Sequence, residues 1–413
     1  MSTEDAAAQA VSEPRQPRRR RWRRILAWTS VGVVVLLVAS LGTAYAYYRT
    51  LRANMVQHDL ETALNEEERP PKIGDDLNIL FIGSDKRTGD NAKYGGRDFV
   101  GERSDALMLA HISPDQGVTV VNFPRDSLVQ LPACEPYQGT DGTEGYYGMI
   151  NAALFHGGPP CAVKAIESLT DIRIDHFAHL SFVGFRDMVT AIGGVQMCIP
   201  QPMEDERSHL DLDAGVQVLD GEEALAFVRA RYEIGNGGDI GRIDRQQMFL
   251  GALADKATSS DVLTSPSKMS GLLDAISRNT QTDDELTLDR MISIGSTLSD
   301  VELSDITFYT VPWWPAPSDP NRVVWDQEKA ERLFTAINND ESPEAAALET
   351  APSTPSTTPS APSSPSYPAE PSTEPVATTA SPSAGNVIEG RDATSNPCVN
   401  GLGAGTESEQ RLP

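Results

Sequence analysis

The sequence predicts an α/β domain, in which helices cover both faces of a central mixed sheet, preceded by one transmembrane helix and followed by a disordered tail. Three observations support this layered α-β-α arrangement. Short apolar, β-branched segments alternate with segments of helical spacing, an uncharged stretch lies near the N-terminus, and the last seventy residues are rich in Pro, Ser and Thr. Alternating strands and helices are typical of layered α/β domains. We place the domain at residues 75–340.

The N-terminal region predicts a membrane anchor. Residues 1–24 carry seven arginines and three acidic residues, and residues 25–48 carry no charge. As a helix, 24 apolar residues span a bilayer. The positive-inside rule places residues 1–24 in the cytoplasm and everything after Arg49 outside the cell. A cleaved signal peptide is the alternative, although the apolar stretch is long for one. We therefore expect a single-pass membrane protein whose polar residues 49–74 form a stalk.

Within the domain, the pattern of apolar residues locates the elements. Short apolar segments, as expected of buried strands, lie at residues 77–83, 106–112, 117–123, 176–180, 195–199 and 306–311. Helical spacing is found at residues 159–169, 182–192, 240–257, 268–277, 286–298 and 325–337. Asp220 with Glu223 forms a capping-box signature, which predicts a further short helix over DGEEALAFV. Gly193 and Gly194 end the helix at 182–192.

The charge of the chain restricts its partners. The formal net charge is −25, and because residues 1–24 contribute +4, the rest of the chain carries −29. This acidic balance argues against a nucleic-acid or anionic-membrane binder. It does not argue against a local phosphate site, since charges more than about 8–10 Å away are largely screened at physiological salt.

All four cysteines follow the predicted membrane helix, where oxidation is permitted. Cys134 and Cys161 flank one irregular segment and are the pair that we expect to be joined, with a stabilisation of roughly 3 kcal/mol. A second pair between Cys198 and Cys398 is left open. Residues 341–413, which include Cys398, contain too little apolar surface to offset the entropy of ordering, so we expect a disordered tail.

A cluster of basic residues around a glycine-rich loop, between residues 225 and 247, indicates an anion site. Arg242, Arg245 and Gln246 are spaced i, i+3 and i+4 in the first turns of a predicted helix, where unpaired backbone N–H groups also favour anions. Arg229 and Arg231 precede the loop. Because guanidinium groups match phosphate oxygens two at a time, phosphate or pyrophosphate is the expected ligand. A solvated helix face with surface ion pairs is the alternative.

Arginine and aspartate recur at the ends of three predicted strands: Asp85 with Arg87, Arg103 with Asp105, and Arg125 with Asp126. Ligands commonly gather outside strand ends in open α/β sheets. Two carboxylates there, Asp85 and Asp105, suit Mg²⁺, which takes one or two carboxylates together with water and substrate phosphate oxygens. The alternative is that each aspartate caps a turn and pairs with its neighbouring arginine.

In order along the chain stand the motifs NILFIGSDKR, RSDALMLAHI, VTVVNFPRDS, INAALFHGG, DHFAHLSFVGFRDMVTAIGGV, LDGEEALAFVRARY and GDIGRIDRQQ. This series resembles the LytR-CpsA-Psr (LCP) family from about Leu77 to Ala257. The resemblance implies a membrane-anchored, Mg²⁺-dependent phosphotransferase that moves a glycopolymer from a polyprenyl-pyrophosphate carrier to peptidoglycan, with possible pyrophosphatase activity. Arabinogalactan, teichoic acid and capsule are all open as the polymer. A non-catalytic polyprenyl-pyrophosphate binding scaffold and a cell-envelope regulator are the alternatives.

The resemblance also implies roles for individual residues. Asp85 and Asp105 match the metal-binding aspartates, while Arg103 and Arg125 match arginines near the phosphate. The pyrophosphate-binding set matches Arg229, Arg231, Arg242 and Gln246, to which we add Arg87 and Arg245 as neighbours. Either Asp105 or Asp126 would accept the proton of the attacking hydroxyl. Candidates for a tunnel that holds the lipid are Phe177, Phe182, Phe185, Met188 and Val189. The chain departs from the family at Met149, close to where many members carry a lysine.

Overall fold

The computed structural model describes residues 18–85, 91, 94, 101–115, 117–230, 239–343, 388 and 390–400. The chain divides into two units, Met1–Ala53 and Asn54–Pro413. The first unit contains helix α1, Arg18–Asn54, in which Trp22–Asn54 is long and apolar enough to cross a membrane. Its apolar side chains are exposed, with Trp28, Leu36 and Leu41 among them. The predicted membrane segment at residues 25–48 therefore lies inside a longer helix.

The second unit is built on a mixed sheet of eight strands. In chain order the strands are β1 Val56–His58, β2 Leu77–Ser84, β3 Ser104–Ser113, β4 Gly117–Asn122, β5 Leu128–Leu131, β6 Tyr146–Met149, β7 His176–Ser181, β8 Val195–Ile199, β9 Met203–Asp205, β10 Leu210–Leu212, β11 Gly215–Leu219, β12 Thr280–Asp283, β13 Ile306–Thr310, β14 Trp313–Ala316, β15 Asp319–Trp325 and β16 Gly390–Asp392. The sheet has the order β1-β12-β7-β2-β3-β4-β13-β16, and the other strands form two-stranded pairs. The pairs β1–β12, β7–β2 and β4–β13 are parallel and the other neighbouring pairs are antiparallel, so the sheet is mixed.

The helices of this unit are α2 Leu60–Ala63, α3 Ala152–Thr170, α4 Phe182–Ile192, α5 Gly221–Arg229, α6 Asp239–Thr258, α7 Ser260–Leu263, α8 Pro266–Asn279, α9 Leu288–Leu298, α10 Gln327–Asn338 and α11 Pro397–Asn400. Short 3₁₀ turns lie at Glu66–Glu68 and Leu303–Asp305. The predicted α4 is confirmed to the residue, because Ser181 caps its start and Gly193 its end. Helix α3 begins seven residues before its prediction, since it continues across a kink at Gly157 and Gly158.

The two faces of the sheet bury separate cores. Leu80 and Ile82 of β2 pack with residues of α3 and α10, whereas α4, α5 and α6 form a second core with β8 and its hairpin. Side chains alternate along a strand, so Phe81 between them points to the opposite face. The layered α-β-α class predicted from the sequence is therefore confirmed, with α3 and α10 on one side and α4 to α6 on the other.

The segment expected to form a stalk contributes to the fold. Strand β1 adds an edge to the sheet beside β12, and Leu60 and Leu64 join the core. Residues 56–74 thus belong to the globular unit, which starts at Asn54 and not at residue 75. The sequence did not indicate this because β1 has only three residues, VQH, and its partner lies more than 220 residues away.

The expectation of a wholly disordered tail over 341–413 is wrong for its described residues 388 and 390–400. Ile388 is buried in the core, and β16 pairs antiparallel with β13. Helix α11 carries Cys398, which is bonded to Cys198 with a Cα–Cα distance of 5.7 Å. Backbone pairing and one distant disulfide hold this strap, defined as residues 390–400, and composition does not reveal either feature. Residues 344–387, 389 and 401–413 lie outside the described residues.

The predicted disulfide between Cys134 and Cys161 is confirmed. The bond joins the segment after β5 to α3, with a Cα–Cα distance of 5.6 Å. Cys134 and Cys161 are both buried and belong to the core cluster that includes α3. The pairing left open for Cys198 is resolved by Cys398, so all four cysteines are bonded.

Candidate functional site

A cavity of about 640 Å³ lies between the sheet and helices α4, α5 and α6. This volume is typical of small-molecule sites. Polar and apolar side chains both line it, and we call six of the polar ones the charged cluster: Asp85, Asp105, Arg125, Arg229, Arg242 and Gln246. Six apolar side chains form what we call the apolar wall: Phe81, Met108, Phe182, Phe185, Met188 and Phe249. One cavity therefore joins several strong charges to a large apolar surface.

Strand register explains why Asp85 and Asp105 meet. The end of β2 pairs with the start of β3 through Ser84 and Ser104, so the aspartates that follow each serine share one sheet edge. Asp85 is held there by two hydrogen bonds. Its N–H donates to Arg103 O at 3.0 Å, and its Oδ1 accepts from Arg103 N at 2.7 Å. The aspartates predicted to act together therefore face the same cavity.

Arg125 follows the end of β4 and contacts the start of β3 and the start of α6. Its Nη1 donates to Asp105 Oδ1, and its Nε lies 3.3 Å from Asp239 Oδ1. Burial lowers the pKa of Arg125, but the carboxylates of Asp105, Asp239 and Asp126 outweigh that effect and raise its pKa overall. A cation surrounded by carboxylates stays charged and fixed in position, as recognition of an anionic group requires.

Helix α6 brings Arg242 and Gln246 to the cavity from its first turns. Arg242 is only 3% exposed, its Nη2 lies 2.5 Å from Asp239 Oδ1, and it donates to Asp105 O at 2.9 Å. Burial lowers the pKa of Arg242. Gln246 Nε2 donates to Val228 O at 3.1 Å, which fixes the end of α5.

Arg245, predicted to bind pyrophosphate, lies outside the cavity. Its Nη2 donates to Ala230 O at the end of α5, and the side chain is 2% exposed. Burial and the neighbouring Arg242 lower the pKa of Arg245 to about 10, so it is protonated at neutral pH. Its contact with Ala230 O directs Arg245 toward the end of α5, and it anchors that helix.

Arg229, at the end of α5, is held by aromatic rings. Its guanidinium lies 4.4 Å from the ring centre of Phe182 and 5.6 Å from that of Tyr94, and it donates to Tyr94 O at 2.5 Å. Cation–π contacts of this kind contribute about 0.5–2 kcal/mol, depending on desolvation. Phe182 thus belongs to the apolar wall and also positions a member of the charged cluster.

The other predicted site residues are placed elsewhere or are not described. Arg87 and Arg231 lie outside the described residues. Arg103 anchors Asp85 through its backbone but does not line the cavity. Asp126 is 7% exposed and pairs with Arg322 at 3.1 Å and with Arg125 at 3.7 Å. Burial raises the pKa of Asp126, against the lowering effect of Arg125.

The predicted lipid-binding residues divide into two groups. Phe182, Phe185 and Met188 line the cavity, but Phe177 and Val189 are fully buried in two different cores. Phe177 faces α3 because Ala178 and Leu180, its alternating neighbours on β7, face the cavity. Helix α9 contributes no side chain to the cavity, whereas α5 and α6 contribute several.

Asp239 has a role in the site that the sequence analysis did not assign. Its carboxylate pairs with both Arg125 and Arg242. Its position three residues before Arg242 was the available signal, because residues at i and i+3 are neighbours on a helix. Arg322, which reaches Asp126 from β15, gave no such signal, since nearly 200 residues separate the two.

The residues present fit a magnesium ion. Asp85 and Asp105 line the same cavity from adjacent strands. Among the described residues there is no group of three or more His, Cys, Asp or Glu that would hold a metal alone. Mg²⁺ retains several waters and takes only one or two carboxylates beside substrate phosphates, so a pair of aspartates next to several arginines is an appropriate donor set.

The fold and this cavity define the class of protein. The LytR_cpsA_psr family model matches residues 39–338, and the chain belongs to this family. It is 33% identical over 273 residues to the probable cell wall biosynthesis protein LcpB of Corynebacterium glutamicum, covering 63% of this chain and 60% of that protein. It is also 27% identical over 348 residues to the Bacillus subtilis polyisoprenyl-teichoic acid–peptidoglycan teichoic acid transferase TagT, covering 79% of this chain and 99% of that protein.

Solved structures agree with this assignment. The LytR-Csp2A-Psr enzyme from Actinomyces oris superposes with a TM-score of 0.52 at 20% identity, covering 70% of this chain and 97% of that one. TagV of Bacillus subtilis superposes with a TM-score of 0.50 at 27% identity, covering 65% and 98%. The chain spans 60% and 49% of the length of the two Corynebacterium glutamicum relatives, LcpB and LcpA.

Proposed function

We propose that this protein is a membrane-anchored phosphotransferase that moves a glycopolymer from a polyprenyl-pyrophosphate carrier to peptidoglycan, with the catalytic domain outside the cell. The relatives TagT and TagV are named as transferases that attach teichoic acid to peptidoglycan. One N-terminal helix is suited to crossing a membrane, and seven arginines precede its uncharged residues 25–48, which supports a single span with a cytoplasmic N-terminus.

The observation that carries the proposal is the sharing of one cavity by the charged cluster and the apolar wall. A polyprenyl pyrophosphate has the same division, with a multiply charged diphosphate joined to a long hydrocarbon chain. Arg125, Arg229 and Arg242 match the diphosphate oxygens, and the phenylalanine and methionine side chains match the isoprenyl units.

Transfer forms one bond and breaks another. A peptidoglycan sugar hydroxyl, which family resemblance suggests is the 6-OH of N-acetylmuramic acid, attacks the phosphorus bonded to the glycopolymer. The bond from that phosphorus to the bridging oxygen breaks, and polyprenyl phosphate leaves with that oxygen. The arginines stabilise charge that develops on the phosphoryl oxygens and on the leaving phosphate. With water in place of the sugar hydroxyl, the same reaction hydrolyses the pyrophosphate, which is pyrophosphatase activity.

The attacking hydroxyl must lose its proton to a base. Asp105 lines the cavity, whereas Asp126 is nearly buried and does not line it. We therefore propose Asp105 as the proton acceptor and assign Asp126 a positioning role for Arg125, from which its carboxylate is 3.7 Å away.

We further propose that Asp85 and Asp105 hold Mg²⁺ when substrate is bound. The ion supplies positive charge that offsets the negative charge of the diphosphate. Treatment with EDTA should abolish transfer and added Mg²⁺ should restore it. Transfer at the untreated rate in excess EDTA would contradict the metal assignment.

The proposed function is tested by a transfer assay on the full chain in detergent, with a polyprenyl-pyrophosphate-linked glycopolymer and peptidoglycan. Arg229→Ala should lower transfer by about 100-fold, because it removes a cation from the site of the developing charge. Arg278→Ala is the matched control, since Arg278 is an exposed arginine on α8 that pairs only locally with Asp274. A wild-type protein that binds the donor but releases no polyprenyl phosphate would be a scaffold, and the proposal would be wrong.

A further inference from the structure

A hairpin outside the central sheet lies directly beside the charged cluster. Strands β14 and β15 form this hairpin. It is attached to the segment that follows Arg125: Val323 N donates to Asp126 O at 3.3 Å, and Trp325 Nε1 donates to Ser127 Oγ at 3.0 Å. The hairpin is thus fixed to the sheet edge at which the proposed chemistry takes place.

The two faces of the hairpin differ in exposure. Val323 and Trp325 are buried, so the alternating residues Arg322 and Val324 lie on the opposite face. Trp314 pairs with Val324 across the hairpin and shares that face. Directly paired cross-strand neighbours have Cβ atoms about 4.5–5.5 Å apart, so the indole lies beside Val324. Arg322 is two residues before Val324 on the same strand and borders a register shift in the hairpin. Trp314 is 59% exposed.

A chain of ion pairs connects this face to the cavity. Arg322 Nη1 lies 3.1 Å from Asp126 Oδ1, and Asp126 Oδ2 lies 3.7 Å from Arg125 Nε. Arg125 in turn lines the cavity and contacts Asp105. A partly exposed guanidinium on the face that carries Trp314 is therefore linked through Asp126 to the charged cluster.

We propose that Trp314 and Arg322 form a binding site for the glycan strand of the acceptor, and this inference rests on the proposed function. A pyranose ring presents C–H groups on its faces, which suit the flat indole, and hydroxyl groups at its edge, which can accept hydrogen bonds from a guanidinium. A glycan held across this face has its next sugar beside Arg125 and Asp105. Tryptophan and arginine are also the side chains that most often dominate binding energy at exposed recognition surfaces.

A membrane surface is the other occupant that an exposed tryptophan suggests, because indole rings favour the lipid headgroup region. The polar neighbours of Trp314 argue for a glycan instead. Arg322 is 3.8 Å from Asp319 Oδ2 as well as being paired with Asp126, so two carboxylates flank the same guanidinium. Anionic lipid headgroups would meet these carboxylates, whereas sugar hydroxyls can donate hydrogen bonds to them.

The test uses the full chain in proteoliposomes of phosphatidylethanolamine and phosphatidylglycerol. The probe is a tetrasaccharide of alternating N-acetylglucosamine and N-acetylmuramic acid. Trp314→Ala should raise the dissociation constant of the tetrasaccharide about tenfold, the loss expected for a dominant aromatic contact. Tyr147→Ala is the matched control, because Tyr147 is a 60% exposed aromatic residue on β6 for which we assign no role, and its affinity should equal that of the wild type.

Equal tetrasaccharide affinities for the wild type and Trp314→Ala would overturn the proposal. The fluorescence of Trp314 is measured as the difference between the wild type and Trp314→Phe. Quenching of this fluorescence by brominated lipids, together with no change on adding the tetrasaccharide, would also overturn the proposal. Donor binding is measured separately with geranylgeranyl pyrophosphate, comparing the wild type with Arg229→Ala. A wild type that binds the tetrasaccharide through Trp314 but binds no diphosphate would refute the proposed donor and leave the glycan site standing.

Discussion

The charged cluster and the apolar wall face the same cavity, but they are held in different ways. Members of the charged cluster come from strand ends and helix ends, and each is fixed by directional contacts, such as those of Arg125 with Asp105 and Asp239. The apolar wall comes from the strands β2 and β3 and from the helices α4 and α6, and it is fixed by packing, as in the 5.4 Å ring contact of Phe185 with Phe249. Directional contacts recognise the geometry of a ligand, whereas packing recognises its volume. Substitutions in the charged cluster and in the apolar wall should therefore impair different aspects of ligand recognition.

The largest effect should come from Arg125→Ala. This change removes a cation that contacts Asp105 and faces the cavity, and we expect kcat for transfer to fall by about 100- to 1000-fold. Arg125→Lys should restore only part of the rate, because an ammonium group cannot make two parallel hydrogen bonds to phosphate. Both variants are compared with the wild type in the transfer assay, with circular dichroism as the check on folding. A folded Arg125→Ala protein within threefold of the wild-type rate would remove Arg125 from the mechanism.

Helix α6 contributes residues to both the charged cluster and the apolar wall. Contacts that stabilise α6 should therefore affect both regions together. The strap pairs Arg391 with Asp244 at 2.9 Å and packs Ala393 where a Cβ on Gly251 would collide, and Cys398 fastens it to Cys198. Replacing Cys198 and Cys398 by alanine should lower the free energy of unfolding by about 3–5 kcal/mol, because the bond closes a loop of 200 residues. The measurement is urea denaturation of the full chain in detergent.

The other disulfide provides the control for this experiment. Cys134 and Cys161 close a loop of 27 residues on the α3 side of the sheet, away from α6. Their replacement by alanine should leave the affinity for geranylgeranyl pyrophosphate unchanged, while loss of the Cys198–Cys398 bond should weaken it. Equal losses of affinity in the two double variants would show that the strap does not support α6 specifically.

The comparison also shows which features the sequence could predict. Strongly periodic elements such as α4 are predictable because caps and apolar spacing act locally. Strands β1 and β16 were missed because each has three residues and depends on a partner far away in the chain. For the site, motif likeness predicted that Asp85, Asp105 and Arg125 lie close together, and all three line the cavity. It could not show that Arg245 turns toward α5, or that Phe177 faces the core opposite the cavity, since periodicity does not identify what covers each face.

A moderate effect is expected from filling the cavity. Met188→Trp adds volume to the apolar wall, and overpacking of this kind should raise KM for a long polyprenyl donor about tenfold. With a geranylgeranyl donor, KM and kcat should stay within threefold of the wild type, because a short chain leaves that volume free. Steady-state kinetics with the two donors provide the measurement. An equal rise in KM for both donors would show that the apolar wall does not discriminate between donors by chain length.

The smallest effect should come from a substitution of Phe182, a member of the apolar wall that also contacts the charged cluster. Phe182 lines the cavity, and Arg229 lies over its ring at 4.4 Å. Phe182→Leu keeps an apolar side chain but removes the π face, so the affinity for inorganic pyrophosphate should fall about three- to tenfold. Inorganic pyrophosphate is the appropriate probe because it has no hydrocarbon chain and so reports on the charged cluster alone.

Phe185→Leu is the matched change, since Phe185 lies on the same helix and lines the same cavity but contacts Phe249. Its affinity for pyrophosphate, measured by titration calorimetry, should equal that of the wild type. If Phe182→Leu and Phe185→Leu weaken pyrophosphate binding to the same extent, Arg229 does not depend on its aromatic contact. The charged cluster and the apolar wall would then be coupled through the general packing of α4, because a specific contact of Arg229 with Phe182 would have given the two variants different affinities.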